Sequence, residues 1–138
     1  MNLLGYALTC REVIPHLLGQ GGGVIVNTCS GAAWGGDPSR PAYAASKAGV
    51  GALPRHIAGR WGKEGIRCNG VAPGVVMTDA IKESDSQDVV AWATRSIRGP
   101  RLGEPEDLAG VVAFLFSDDA AYVSGQVWSA CGGWSLRE

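Results

Sequence analysis

Three short runs of apolar and β-branched residues, each preceded by a helical segment, constrain the fold of this chain most. The runs cover residues 23–28, about 66–72 and the segment GQVWSACGG near the C-terminus, and glycine or proline borders them. Helical periodicity covers residues 2–18, about 41–61 and the segment EPEDLAGVVAFLFS. Alternation of helix and strand is typical of a parallel sheet covered by helices. We therefore predict an α/β fold with about three parallel strands and flanking helices.

The composition limits which binding partners and which cellular compartment we expect for this chain. The 138 residues fit a single domain, and 12 basic against 13 acidic residues give a net charge of −1. This balance gives no reason to expect nucleic acid or an anionic membrane as partner. The longest apolar runs are too short to cross a bilayer, and the start has no signal-peptide pattern. The four cysteines are widely spaced, which favours reduced thiols over a metal site. We expect a cytoplasmic protein.

Candidate site residues follow the predicted strands. Ser30 lies just after the first strand, the Pro73-Gly74 pair lies just after the second, and Tyr43 opens the helix between them. Ligands of open parallel sheets bind beyond the carboxyl ends of the strands. We therefore expect these residues to meet at one edge of the sheet.

The spacing of Tyr43 and Lys47 suggests acid–base chemistry. Residues four apart lie on one helical face, and a nearby ammonium group favours phenolate over phenol. Such a tyrosine removes a proton from an alcohol or returns one to a carbonyl oxygen, while the hydroxyl of Ser30 holds that oxygen. Interconversion of alcohol and carbonyl also needs a hydride carrier, so the set implies a nicotinamide cofactor, either NAD or NADP.

Five motifs, in order and in register, carry a family resemblance. They are the start MNLLG, the strand and serine VIVNTCS, the YAASK pair, GIRCNGVAPGVVMTD, and the C-terminal stretch RLGEPEDLAGVVAFLFSDDAAYVSGQVWSACGG. With these motifs the sequence resembles the short-chain dehydrogenase/reductase family. It is most similar to the "classical" bacterial members of the 3-oxoacyl reductase type.

The resemblance implies four catalytic residues. Tyr43 would be the acid/base, and Ser30 would orient the substrate oxygen. Lys47 would favour the phenolate form of Tyr43 and bind the nicotinamide ribose. Asn2, which lies 28 positions before Ser30, would hold a water that relays protons to Lys47.

The resemblance also implies a cofactor wall and a substrate lid. Residues 79–100 would form the variable lid that sets substrate choice. The nicotinamide would be lined by four residues after the second strand: Pro73, Gly74, Val76 and Thr78.

One family element has no counterpart in these 138 residues. The glycine-rich turn that binds the dinucleotide, and the position that selects NAD or NADP, precede the matched region in the family, and GQGGGV precedes a strand rather than a helix. We expect residues 1–138 to be the C-terminal portion of a Rossmann-type three-layer fold. A misplaced gene start or a truncated gene is our hypothesis for this.

Two functions therefore stay open. The first is an NAD(P)-dependent oxidoreductase acting on a small alcohol or ketone. The alternative is an inactive remnant that serves as an interaction or oligomerisation module, either as a homo-oligomer or with a full-length relative. A serine hydrolase is disfavoured, because Ser30 has no G-x-S-x-G elbow. Four tryptophans either line a substrate pocket or pack in the core, and packing is the commoner role: Trp34, Trp92, Trp128 and Trp134.

Overall fold

The computed structural model describes residues 2–35, 39–83 and 87–136. The strands are β1 (Gly23–Thr28), β2 (Ile66–Pro73) and β3 (Val127–Ala130). The helices are α1 (Asn2–Gly19), α2 (Pro41–Trp61), α3 (Asp79–Lys82), α4 (Gln87–Ser96) and α5 (Pro105–Phe116). Short 3-10 helices cover Gly31–Ala33, Gly62–Glu64 and Asp118–Ala120.

The sheet has the predicted parallel topology. Its strand order is β1-β2-β3, with Gly23 opposite Ile66 and Gly70 opposite Val127. All three strands therefore end at the same edge, near Thr28, Pro73 and Ala130. The predicted α/β fold, with three parallel strands and flanking helices, is confirmed.

Helices cover both faces of the sheet. On one face α1 and α2 pack together, and their Cys10, Ile14 and Ile57 form a buried cluster with Ile66 and Cys68 of β2. Burial raises the pKa of the Cys68 thiol to about 12, and the neighbouring thiols of Cys10 and Cys29 add to the rise. None of the four cysteines forms a disulfide. The core on this face is therefore mostly apolar, and the buried amide of Asn27 accepts from the Cys10 thiol and donates to the Cys68 sulfur.

The other face of β2 carries two polar side chains, Arg67 and Asn69, and α5 packs against this strand. The guanidinium of Arg67 donates to the carbonyl oxygens of Leu115 and Ser117, at 3.0 and 3.1 Å. Beside it, the amide of Asn69 is fully buried and bonds to the turn that precedes β3. These bonds tie the end of α5 and the start of β3 to the central strand.

The turns that precede β1 and β2 approach each other closely at Gly21 and Gly65. Gly65 has a φ of 85°, and a Cβ there would lie 2.8 Å from the carbonyl oxygen of Gly21. An L-residue is strained at such a φ, and this contact adds a steric clash. We expect Gly65→Ala to lower the free energy of unfolding by about 1–3 kcal/mol in urea denaturation.

Gly62 offers the matched control for this prediction. Its φ is −65° and a Cβ there would meet no atom within 4 Å. We expect Gly62→Ala to change the free energy of unfolding by no more than about 0.5 kcal/mol. Equal losses in the two variants would contradict the close approach of the Gly21 and Gly65 backbones.

Within the described ranges, no helix has both the length and the apolar character needed to cross a membrane.

Both internal prolines, Pro15 and Pro54, lie within helices that continue past them.

Candidate active site

A cavity of about 390 Å³ lies beyond the carboxyl ends of the strands. Ser30, from the end of β1, and Tyr43, from the first turn of α2, both line it. The structure brings the four predicted cofactor-wall residues to the same cavity: Pro73, Gly74, Val76 and Thr78. Six of the eight residues predicted for the site therefore surround one space.

The hydroxyl of Ser30 is oriented by the turn that follows it. Ser30 caps the 3-10 helix Gly31–Ala33, and its Oγ accepts a hydrogen bond from the amide of Ala32 at 3.2 Å. A hydroxyl that accepts this bond keeps its own proton for donation. Ser30 is therefore arranged to donate to an oxygen atom in the cavity.

Lys47 lies next to Tyr43 and does not line the cavity itself. Its side chain is buried, and its Nζ donates to the carbonyl oxygen of Thr28 at 2.8 Å. The same Nζ lies 6.0 Å from the ring centroid of Tyr43 and 4.9 Å from that of Tyr6. The bond to the end of β1 holds the ammonium group near the phenol ring of Tyr43.

Arg40 is a cavity residue that the sequence analysis missed. Its guanidinium carbon lies 5.5 Å from the ring centroid of Tyr43, and its side chain lines the cavity. Its position before Pro41, three residues ahead of Tyr43, was the available signal. Two cationic side chains therefore flank the Tyr43 ring.

Asn2 is the one predicted catalytic residue that lies in a different space. It lines a groove of about 530 Å³ along β1, together with Tyr6, Val26 and Phe116. β1 pairs only with β2 in the part of the chain that the structure describes, and this groove runs along its other side. Asn2 and the pair of Ser30 and Tyr43 therefore line separate cavities.

The segment after β2 offers polar groups that suit a nicotinamide carboxamide. Backbone hydrogen bonds join Met77 and Val75 to Gly103, at 2.8 and 3.3 Å, and fix the segment. The amide of Val76 donates to no carbonyl oxygen of the described residues. The hydroxyl of Thr78 makes no capping bond to helix α3. Among the described residues, an amide with no carbonyl acceptor and a hydroxyl at one cavity wall fit an amide-bearing ring.

The arginines after α4 bond to neighbouring segments of the fold. Arg101 makes a bidentate pair with Asp107 at 2.7 and 2.9 Å, and this pair holds the pKa of the Asp107 carboxyl well below its usual range. Arg98 donates to the carbonyl oxygen of Gly133 at 2.7 Å. Neither side chain lines the cavity that contains Ser30 and Tyr43.

A parallel sheet with helices on both faces, and a cavity at the carboxyl ends of its strands, defines a Rossmann-like α/β protein. The family described as "Enoyl-(Acyl carrier protein) reductase" matches residues 1–135. The chain belongs to the short-chain dehydrogenase/reductase family.

Relatives agree along almost the whole chain. A "Probable short-chain type dehydrogenase/reductase" of Bradyrhizobium diazoefficiens is 44% identical over 132 residues, which cover 96% of this chain and 47% of the relative. A 7alpha-hydroxysteroid dehydrogenase of Bacteroides fragilis is 43% identical over 137 residues, which cover 99% of this chain and 53% of the relative.

A solved structure also matches the whole chain. A 7 alpha-hydroxysteroid dehydrogenase complexed with NADH and 7-oxo glycochenodeoxycholic acid superposes with a TM-score of 0.90 at 35% identity. The match covers 100% of this chain and 54% of that structure. The chain thus spans about half the length of the relatives that it matches.

Proposed function

We propose that this chain carries the catalytic residues of an NAD(P)-dependent oxidoreductase that interconverts an alcohol and a carbonyl compound. The observation that carries the proposal is the shared cavity of Ser30 and Tyr43, with the ammonium group of Lys47 held 6.0 Å from the Tyr43 ring. Membership of the short-chain dehydrogenase/reductase family supports it.

Each side chain has a distinct role in the proposed reaction. Ser30 donates a hydrogen bond to the substrate oxygen and holds it beside the phenol of Tyr43. Tyr43 gives its proton to that oxygen in reduction and takes it back in oxidation. Lys47 places its positive charge 6.0 Å from the Tyr43 ring and has two further N–H groups for a ribose hydroxyl. The proton therefore moves between the substrate oxygen and Tyr43.

A nicotinamide cofactor, NAD or NADP, supplies or accepts the hydride when it is bound. Pro73, Gly74, Val76 and Thr78 would hold its ring. The amide of Val76 and the hydroxyl of Thr78 would bond to the carboxamide. Asn2 remains a proposed proton-relay residue through a water on Lys47.

The cofactor wall predicts a defined effect of Thr78. We expect Thr78→Val to weaken binding of NADH or NADPH about threefold to tenfold, because it removes one hydroxyl while keeping the shape. Fluorescence titration of both dinucleotides against the purified chain measures this. Thr94→Val is the matched control, since the Thr94 hydroxyl is exposed and bonds within α4.

The alternative function is an interaction or oligomerisation module. Several apolar side chains on α1 are exposed, which favours a protein partner on this helix: Leu3, Leu4, Leu8, Val13 and Leu18. If the folded wild-type chain binds neither dinucleotide but forms a stable complex with itself or with a longer relative, the module is the better account.

A further inference from the structure

Two tryptophans from distant parts of the chain meet at the cavity. Trp92, on α4, and Trp134, after β3, pack edge to face with ring centroids 5.5 Å apart and an interplanar angle of 77°. Both line the cavity that contains Ser30 and Tyr43. Trp92 keeps 44% of its surface exposed. One wall of the cavity is therefore a large apolar surface that is only partly covered.

The Trp134 indole rests directly on the backbone that follows Ser30. A Cβ on Gly31 would collide with the six-membered ring of Trp134, and a Cβ on Gly35 would lie 2.7 Å from the same ring. Real Cβ atoms do not approach other heavy atoms this closely, so the indole fills the space that these glycines leave. This contact fixes Trp134 against the residue that follows Ser30, and both side chains line the cavity.

Backbone hydrogen bonds hold the two tryptophan segments together. The amides of Arg98 and Gly99, just after α4, both donate to the carbonyl oxygen of Gly132 at 2.9 Å. The guanidinium of Arg98 donates to the carbonyl oxygens of Gly133 and Trp134, at 2.7 and 3.2 Å. The end of α4 and the segment after β3 therefore form one connected wall.

We propose that Trp92 and Trp134 are specificity-determining residues that select a carbonyl or alcohol carried on a flat, apolar ring system. This inference rests on the function proposed above. Ile81 and Val89 extend the apolar lining, and Val89, like Trp92, keeps nearly half of its surface exposed. A flat apolar ring stacks on an indole and covers these side chains, whereas a small ketone leaves them in contact with water. The cavity of about 390 Å³, part of which the nicotinamide ring would occupy, has room for a ligand of about two fused rings.

Cyclohexanone and beta-tetralone, which differ by one fused benzene ring, test the proposal with the full chain. We expect the dissociation constant for beta-tetralone, from calorimetric titration without cofactor, to rise about tenfold in Trp92→Ala and in Trp134→Ala. In steady-state reduction with NADH or NADPH, the same variants raise KM for beta-tetralone about tenfold, with kcat within about twofold. The corresponding values for cyclohexanone change much less.

Trp128→Ala is the matched control. Trp128 lies on β3 and packs on Phe114, with centroids 5.4 Å apart, away from this cavity. Thermal unfolding of each variant identifies any that fails to fold, and Trp92→Leu then replaces Trp92→Ala.

The outcomes separate this inference from the proposed function. Loss of beta-tetralone binding in both cavity variants, but not in the control, supports the inference even if no ketone is reduced; in that case only the proposed function fails. If the cavity variants reduce both ketones with an unchanged preference for beta-tetralone over cyclohexanone, the inference is overturned but the proposed oxidoreductase function is not. Absence of beta-tetralone binding to the folded wild-type chain also overturns the inference.

Discussion

Tyr43→Phe is expected to reduce kcat for alcohol–carbonyl interconversion by about 100-fold to 10,000-fold, because the substrate oxygen loses its proton donor and acceptor. The substitution keeps the ring between the side chains of Arg40 and Lys47, so the cavity shape is preserved. Spectrophotometric assay of NADH or NADPH oxidation with a ketone measures the loss. Since the ring remains, binding of ketone and dinucleotide should change little.

Tyr122→Phe is the control for the loss of a phenol hydroxyl. Tyr122 is fully exposed and lies outside the cavity, so we expect wild-type activity. If Tyr43→Phe retained the wild-type kcat, Tyr43 would not be the acid/base. The Ser30–Tyr43 cavity would then need another function.

Asn69→Leu is expected to lower the free energy of unfolding by about 2–4 kcal/mol. The Asn69 amide is fully buried; its Nδ2 donates to the carbonyl oxygen of Val123 at 2.8 Å, and its Oδ1 accepts from the amide of Gln126 at 3.1 Å. Leucine has a similar volume but removes both bonds; the carbonyl oxygen of Val123 then keeps only the longer bond from Arg67, at 3.4 Å. Chemical denaturation measures the loss.

Loss of the Asn69 amide should also disturb the cavity wall that contains Trp134. The turn at 123–126 precedes β3, and β3 leads into the segment that carries Trp134. Gln126→Leu makes the same polar-to-apolar change at an exposed side chain and should alter the free energy of unfolding by no more than about 0.5 kcal/mol. Equal stability of the two variants would show that the Asn69 amide does not anchor this turn.

Local patterns in the sequence were sufficient for most of the secondary structure. The β-branched run after GGG predicted β1 at its observed bounds, 23–28, and Pro41 marked the first turn of α2. The helix expected at about 41–61 is α2, at Pro41–Trp61. These signals work because strand and helix formation here depend on neighbouring residues and on glycine or proline at the ends.

Contacts between distant residues were beyond the reach of such patterns. The packing of Trp134 against Gly31 and Gly35 joins residues about a hundred positions apart, and no spacing rule predicts this contact. The sequence likewise left Trp92 and Trp134 with packing as their default role. Asn2 was grouped with Ser30 by the family resemblance of MNLLG and by sequence separation, yet the two line different cavities. A matching sequence separation aligns two residues with those of a family, but it does not show that their side chains line the same cavity.

The most direct test of the central claim is hydride transfer itself. The purified chain is incubated with beta-tetralone or cyclohexanone and with NADH or NADPH deuterated at the transferable hydride position. Mass spectrometry then follows the alcohol product. The oxidoreductase account predicts an alcohol with one deuterium on the carbon that carried the oxygen, formed by wild type and by Tyr122→Phe and at least about 100-fold more slowly by Tyr43→Phe. A folded wild-type chain that yields no deuterated alcohol from either ketone with either cofactor would contradict it.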